Sequence, residues 1–503
     1  MNFNFYNSFM KMIILTVLAL FSPLAVYAES DPLNVDAEKI DTFMESAIDK
    51  LHVLGAALGI VKGNQTLYLK GYGYSGVDHS PVTSQTPFVL GSTSKSFTAL
   101  AIMQLVEEGK IDLEAPVQRY LPWFRLADEE VSKNILVKHL LNQTSGLSTY
   151  DGRLGITNGH KSIEEHLRDL KHTPLTEPVG QVFQYSNLNY NILGGIVQTV
   201  SGEAYPQYVD NHIFKPLDMQ HSYASAVEAE QDGLATGYQS IFGWMVPTKQ
   251  LQHEGTVASG YLISSAEDMS NYLIAQINQG YFKNQTLLSK EGVNHMHQPA
   301  SSMGDGAFYA MGWVVNQNTN VIFHNGSTEN TFSLMVMNGD YGIVLLINAY
   351  DPLVPYDSIV AGINGILNGQ ERSQADLPSF NKTYMIADLI VLAVLAWVSR
   401  SVYNLYRWIL KPTFTPLRIA INCVYILLFN LLIPSLILFY VPKLAQAPWA
   451  VTFSFLPGLG HVLYFLSILL LCMGLIKSVL IIRSMDGRRL GSKAGDTLHH
   501  TEG

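Results

Sequence analysis

Gly91-Ser92-Thr93-Ser94-Lys95-Ser96-Phe97 sets a hydroxyl and an amine three residues apart at the start of an apolar run, and the fold is read outward from it. Residues i and i+3 of a helix share a face, so Lys95 can reach the Ser92 oxygen as a base. The unsatisfied N–H groups of a first helical turn point toward the place where an oxyanion would form. Phe97, Leu100, Ala101, Met103, Leu105 and Val106 are apolar nearly all round, which predicts a buried helix closed by Gly109. Spacing alone does not make a nucleophile. A chain of 503 residues carries about two S-x-x-K matches by chance, and Ser8 with Lys11 is another. Context and companions decide.

Upstream, Ile40, Phe43, Ala47, Ile48 and Leu51 fall at helical spacing within 35–51. Short runs at 56–61 and 66–70 flank Lys62-Gly63-Asn64-Gln65, a hairpin signal. Downstream, 137–141 predicts a short helix and the polar passage to Val179 helix in pieces. Tyr185-Ser186-Asn187 precedes an apolar helix over 189–199. Residues 220–256 show little periodicity and are assigned to loops around a cleft. Residues 260–263 suggest a short strand, and Ser265 caps a helix over 267–279. Runs at 320–324, 332–336 and 342–348 read as strands, the last two joined by the turn Asn338-Gly339-Asp340. Helix, strands, helices, then strands is the order expected when the first and last segments of a domain share one antiparallel sheet.

Composition adds a membrane. Charged residues are 14% and hydrophobic ones 48%, an average pulled by a few strongly apolar blocks. The formal charge of -10, with no basic stripe outside short clusters beside those blocks, excludes a nucleic-acid partner. Both cysteines, Cys423 and Cys472, lie in C-terminal apolar blocks. The region around Ser92 therefore has no disulfide framework, thiol nucleophile or zinc-thiolate site, and no metal or cofactor is expected. Lys11, the apolar run 12–21 and Val26-Tyr27-Ala28 read as a signal peptide over 1–28. An uncleaved anchor is the alternative, disfavoured because the run is shorter than the ~20 residues of a spanning helix.

An extracytoplasmic domain is expected over 29–370, a polar linker over 371–383, spans at 384–406, 418–441 and 457–482, and a cytoplasmic tail over 483–503. Arg400, Arg407, Lys411 and Arg418, and then Arg483, Arg488, Arg489 and Lys493, fall on the side predicted to be cytoplasmic, which agrees with the positive-inside rule. Asp388 and His461 intrude near the outer ends of the first and third spans. Either they pair across the bundle or both reach the interface.

Two companions support Ser92: Tyr185-x-Asn187 before an apolar helix, and His324-x-Gly326 followed by Ser327 at a strand end. His253-x-Gly255 competes but lies in a Gln- and Gly-rich loop without strand character. At these residues the chain resembles the serine β-lactamase and penicillin-binding-protein superfamily, and within it the class C-like branch of D-stereospecific peptidases and carboxylesterases. The resemblance covers roughly residues 36–368 and includes Leu140-Leu141-Asn142-Gln143-Thr144-Ser145-Gly146-Leu147 and Ser259-Gly260-Tyr261-Leu262 through Ala266-Glu267-Asp268-Met269. It implies an α/β (α+β) fold: an antiparallel sheet flanked by helices plus an all-helical region, here followed by three transmembrane helices.

By that resemblance Ser92 is the acylated nucleophile, Lys95 takes its proton, and Tyr185 relays the proton to the leaving group, although which of the two is the base differs between accounts of such sites. Asn187 would bind the substrate amide, backbone N–H groups of Ser92 and Ser327 would form the oxyanion hole, and His324 and Gly326 would line the opposite strand. Many relatives have a lysine where this chain has His324, and a neutral histidine grips a substrate carboxylate poorly. The expected substrate is therefore a small peptide or ester ahead of a β-lactam, with a β-lactamase proper and a penicillin-binding sensor or scaffold that acylates without turnover as the alternatives. The layout also resembles membrane-bound D-amino-acid peptidases that trim acylated prodrugs, which implies a lipid-tailed or cell-wall substrate and contact with membrane lipid.

Overall fold

The computed structural model describes residues 35–158, 161–251, 253–370, 377–410 and 415–498. The signal peptide, residues 371–376 of the linker, Lys411 and the last residues of the tail lie outside the described residues. The chain divides into two compact units. The first holds the residues up to Ser240, Trp244–Asn381 and Gln446–Phe455; the second holds Ile241–Gly243, Lys382–Ala445 and the residues from Leu456 onward.

In the first unit, α1 (Ala37–Leu51) starts where Asp36 accepts a hydrogen bond from Lys39 N. Ile40, Phe43, Met44, Ala47 and Leu51 form its buried face. The predicted hairpin follows as β1 (Gly55–Lys62) and β2 (Gln65–Gly73). Six further strands, β3 (Ser301–Gly304), β4 (Ala307–Tyr309), β5 (Val314–Asn316), β6 (Val321–Ser327), β7 (Phe332–Asn338) and β8 (Tyr341–Ile347), complete one sheet in the order β2-β1-β8-β7-β6-β5-β4-β3. Its neighbouring strands run antiparallel, and β1 pairs with β8 from Ala56 opposite Ile347 to Lys62 opposite Tyr341. The first and last strands of the domain therefore share a sheet, as the element order requires.

The helices that position the site are α2 (Ser94–Glu107), α3 (Thr149–Leu154), α4 (Asn187–Ser201) and α5 (Ala266–Ile277). Ser265 caps α5 by accepting from Asp268 N. Helix α5 packs on β1 and β8, while α2 packs on α4 within the helical region. Phe97 of α2 stacks on Tyr272 of α5 with centroids 4.0 Å apart. Buried side chains of this size each contribute about 1.5–3 kcal/mol, so α2 is held firmly enough to carry one buried amine.

Several expectations need correction. The 220–256 passage is not all loop: it contains a helix, Ala226–Gln231, and the strands Gly237–Ile241 and Trp244–Thr248. Strand character at 260–263 is displaced, with a helical turn over Val257–Gly260 and a strand at Ile263–Ser264. Strands β3, β4 and β5 and helix α6 (Asp357–Leu367), which packs on α1, were unforeseen. The three strands are only 3 or 4 residues long, too short for alternation to register.

Three helices are long and apolar enough to cross a membrane: α7 (Phe380–Leu410), α8 (Pro416–Ala445) and the Leu459–Met485 part of a helix that runs on to Leu498. Each exceeds the expected span at both ends or at one. In the second unit the Asp388–His461 pair is not formed: Asp388 Oδ1 has no hydrogen-bond partner, and the His461 ring packs beside Phe465. The polar node is elsewhere. Lys477 is buried and donates to Ser401 Oγ at 2.8 Å and Asn430 Oδ1 at 3.2 Å. Asn430 also donates to Leu470 O at 2.9 Å, so one node ties all three helices together.

Candidate active site

Ser92 stands in a tight turn, Gly91–Thr93, at the mouth of α2. Gly91 has φ +58°, a conformation glycine takes without penalty. Thr93 Oγ1 donates to Leu90 O at 2.9 Å and meets Ser333 Oγ of β7 at 3.0 Å, so the turn is fastened to the sheet. Leu262 N donates to Ser94 Oγ at 3.1 Å and fixes the other side.

Lys95 is fully buried one turn later. Its Nζ lies 3.0 Å from Ser92 Oγ and 2.9 Å from Asn187 Oδ1, and it also donates to Ser259 O. No carboxylate is among these partners. Burial pushes the amine well below the usual lysine range. A neutral amine has two N–H bonds and one lone pair. Asn187 Oδ1 and Ser259 O take the two N–H groups, which leaves the lone pair facing the Ser92 hydroxyl.

The polar stretch 142–148 holds the second motif. Gln143, buried with φ +57°, accepts from Ser186 N at 2.9 Å through Oε1 and from Gln184 N at 2.8 Å through its carbonyl. Ser186 Oγ donates to Ser148 O at 2.8 Å, and Thr149 Oγ1 donates to Tyr185 O. So held, Tyr185 places its hydroxyl against the Ser92 side chain and its ring 4.9 Å from Lys95 Nζ. Burial raises the phenol above its ordinary range, so it stays protonated, while the exposed Arg153 on α3 acts weakly in the opposite sense.

The third motif ends β6. Gly326 runs so close to the Ser92 turn that a Cβ there would stand 2.0 Å from Leu90 O and 2.8 Å from Ser92 N. One on Gly91 would stand 2.4 Å from Ser327 N. The Ser92 and Ser327 amides are thereby brought side by side. His324 is buried, its Nδ1–H donates to Asn325 O at 2.6 Å, and its Nε2 lies 3.4 Å from the Tyr309 hydroxyl. Burial lowers it to about 3, so the ring is neutral. The competing His253 is buried just before the helical turn Glu254–Thr256, stacked on Tyr261, and not on a strand.

Ser92, Lys95, Tyr185, Asn187, His324, Gly326 and Ser327 thus gather around the Ser92 turn. The profile of the Beta-lactamase family matches residues 37–359. The chain belongs to the beta-lactamase family. Among its relatives is "Protein flp" of Staphylococcus aureus (strain MW2), 29% identical over 443 residues that cover 84% of this chain and 86% of that one. Among solved structures, the octameric penicillin-binding protein homologue from Pyrococcus abyssi is 29% identical with a TM-score of 0.59, covering 67% of this chain and 78% of that one. The hydrolase EstCE1 shares the fold at a TM-score of 0.58 and 22% identity, over 66% of this chain and 98% of its own.

Sequence reasoning missed Ser333, the Ser259 carbonyl and the scaffold role of Gln143. Ser333 had a signal, because a lone hydroxyl between Phe332 and Leu334 in a buried strand needs a partner. The Ser259 contact had none, since a backbone carbonyl looks the same at every position.

Proposed function

We propose that the chain is a membrane-anchored serine hydrolase that works through an acyl-enzyme on D-amino-acid-containing peptides or related esters. The observation that carries this is the placement of the Lys95 amine, pushed toward its neutral form by burial and held by Asn187 and Ser259 so that its lone pair faces Ser92 Oγ. Ser92 Oγ attacks the substrate carbonyl as its proton passes to Lys95 Nζ. Tyr185, whose phenol stays protonated, is suited to hand a proton to the leaving group rather than to begin as the base. The Ser92 and Ser327 amides supply the oxyanion hole, a feature typically worth about 3–4 kcal/mol per donor.

Support for the membrane anchor is the set of three apolar helices. Peptide or ester specificity rests on the family resemblance and on His324, a neutral ring where a fixed cation would favour an acidic substrate. The test is labelling of the purified full chain with a fluorescent fluorophosphonate and a fluorescent penicillin, with turnover of acyl-D-peptides, p-nitrophenyl esters and nitrocefin in parallel. Labelling lost in Ser92→Ala, with turnover of peptides or esters above nitrocefin, is the expected result. Equal labelling of Ser92→Ala removes the assignment. Stable penicillin labelling without any turnover makes the protein a sensor rather than a hydrolase.

A further inference from the structure

The loop between the second and third apolar helices, Gln446–Phe455, belongs to the same compact unit as Ser92. Ten residues long, it reads Gln-Ala-Pro-Trp-Ala-Val-Thr-Phe-Ser-Phe and carries no charge. Its short helix α9 (Trp449–Phe455) buries Val451 and Thr452, and Ala447 is buried just before it. A connector needed only to reverse the chain would be polar and solvated. This one is apolar and inserted.

Its contacts fall on both sides of the cleft. On the helical side, α9 packs against Gly155–Asn158, the turn that continues α3. The same α3 carries Gly152, where a Cβ would stand 2.7 Å from Asn187 N, so this rim backs directly onto the Tyr185–Asn187 motif. On the sheet side, Phe455 meets the edge of Tyr350, with centroids 5.7 Å apart. The Tyr350 hydroxyl in turn lies against the Ser327 side chain. A second tie runs in parallel: Gln239 Nε2 donates to Glu329 O at 2.8 Å and also to Ser454 O, which fastens the end of α9 to the segment just past Ser327.

We infer that Gln446–Phe455 forms the outer wall of the Ser92 cleft, and that Phe455, with Tyr350, selects substrates carrying an apolar acyl or aromatic group beyond the scissile carbonyl. The inference rests on the assignment of Ser92 as nucleophile and deepens it. A group that passes Ser327 next meets the Tyr350 ring and then Phe455. An uncharged aromatic surface there rewards apolar contact and gives nothing to a charged group.

The test uses the full chain in detergent and an alkyl fluorophosphonate whose medium-length chain ends in a photoreactive diazirine. Ser92 Oγ displaces fluoride from phosphorus, which places the chain in the cleft; light then joins its end to the nearest residue, read by peptide mass spectrometry. Adducts on 446–455 or on Tyr350 are expected. Adducts found only elsewhere overturn the inference. A wild type that takes no probe, or a Ser92→Ala variant that takes as much, overturns the nucleophile assignment instead and this inference with it. As a second arm, Phe455→Ala should lower the ratio of kcat/KM for p-nitrophenyl octanoate over acetate by about tenfold, the worth of roughly two buried methylenes. An unchanged ratio in a variant that still labels counts against Phe455.

Discussion

Asn187→Asp is the most discriminating change in the site, because it replaces an amide oxygen 2.9 Å from Lys95 Nζ by a carboxylate of the same shape. An ordinary lysine, with a pKa near 10.4, is neutral in only about one molecule in 2,500 at pH 7. Burial without a counter-charge is what lowers Lys95 from that range. An opposite charge at this distance typically shifts a partner by about 1–3 units toward its charged form. Each unit by which the amine's pKa stands above the working pH removes about nine-tenths of the neutral amine. Acylation at pH 7 should therefore fall, by up to about 1,000-fold, and the rising limb of the pH–rate profile should move up by the same 1–3 units. Raising the pH should restore the rate. The assay is stopped-flow labelling of Ser92 by the fluorescent fluorophosphonate from neutral to alkaline pH, on wild type and variant. Loss of a substrate contact from the Asn187 amide would scale the profile down without moving it. A limb that stays in place, or moves to lower pH, refutes the neutral-lysine mechanism.

Other changes probe the rest of the cleft. Tyr185→Phe removes the hydroxyl beside Ser92 and should cut p-nitrophenyl ester turnover by about 10²–10⁴, with the melting temperature little changed. Gly326→Ala forces a Cβ to within 2.0 Å of Leu90 O, so it should part the two amides, lower acylation at least about 100-fold and cost about 1–3 kcal/mol in a denaturant titration. Arg153→Gln should raise KM for substrates with a free carboxylate and leave neutral esters unchanged, as a comparison of the two substrate series would show. Thermal stability should fall as pH drops. His166 and His297 are lowered to about 4 by burial, so the native state holds them neutral while unfolded histidines protonate. Their contribution is complete above about pH 6.5 and is lost as pH falls toward about 4, up to about 3 kcal/mol for each. Asp268, raised to about 6 by burial, acts in the opposite sense between about pH 4 and 6. Asp268→Asn should therefore steepen the acid loss in melts recorded by circular dichroism.

The long, strongly patterned elements were legible in the sequence: α1, the β1–β2 hairpin, α2 and the last three strands of the sheet each announce themselves by period or turn chemistry. So were the three motif pairs, because each sits where an element begins or ends. What the sequence withheld was tertiary. Strands β3–β5 owe their conformation to pairing outward from β6, and nothing in so few residues requires it. The 446–455 loop shows the same limit from the other side. Its apolar residues continue the composition of the helices around it, so burial against the catalytic unit leaves no separate mark. Lys477 stands out in the sequence as a lone charge in an apolar helix, whereas Asn430 and Ser401, its partners, are ordinary polar residues until packing brings them together.

The absence of a lysine at position 324 was a reason to expect no grip on a carboxylate, and the structure changes where that question is asked. Around Ser92, burial pushes Lys95 toward its neutral form, holds His324 uncharged and Tyr185 protonated, and raises Glu329, two residues past Ser327, toward its neutral form. A charge placed there would lose its hydration and find no partner of opposite sign. The cation that acts on both Tyr185 and Tyr350 is Arg153, exposed on α3 at the rim. A carboxylate that reaches this rim can keep its water and still be attracted, although solvent weakens the pair. On the proposed mechanism the bond to be cut would lie in this uncharged interior, where the Ser92 and Ser327 amides would face the developing oxyanion without competition from a fixed cation or bulk water. On the proposed mechanism a substrate charge would be tolerated only at a distance from the reacting carbonyl, which would favour extended acyl-peptides and esters over the compact, acid-bearing β-lactam ring.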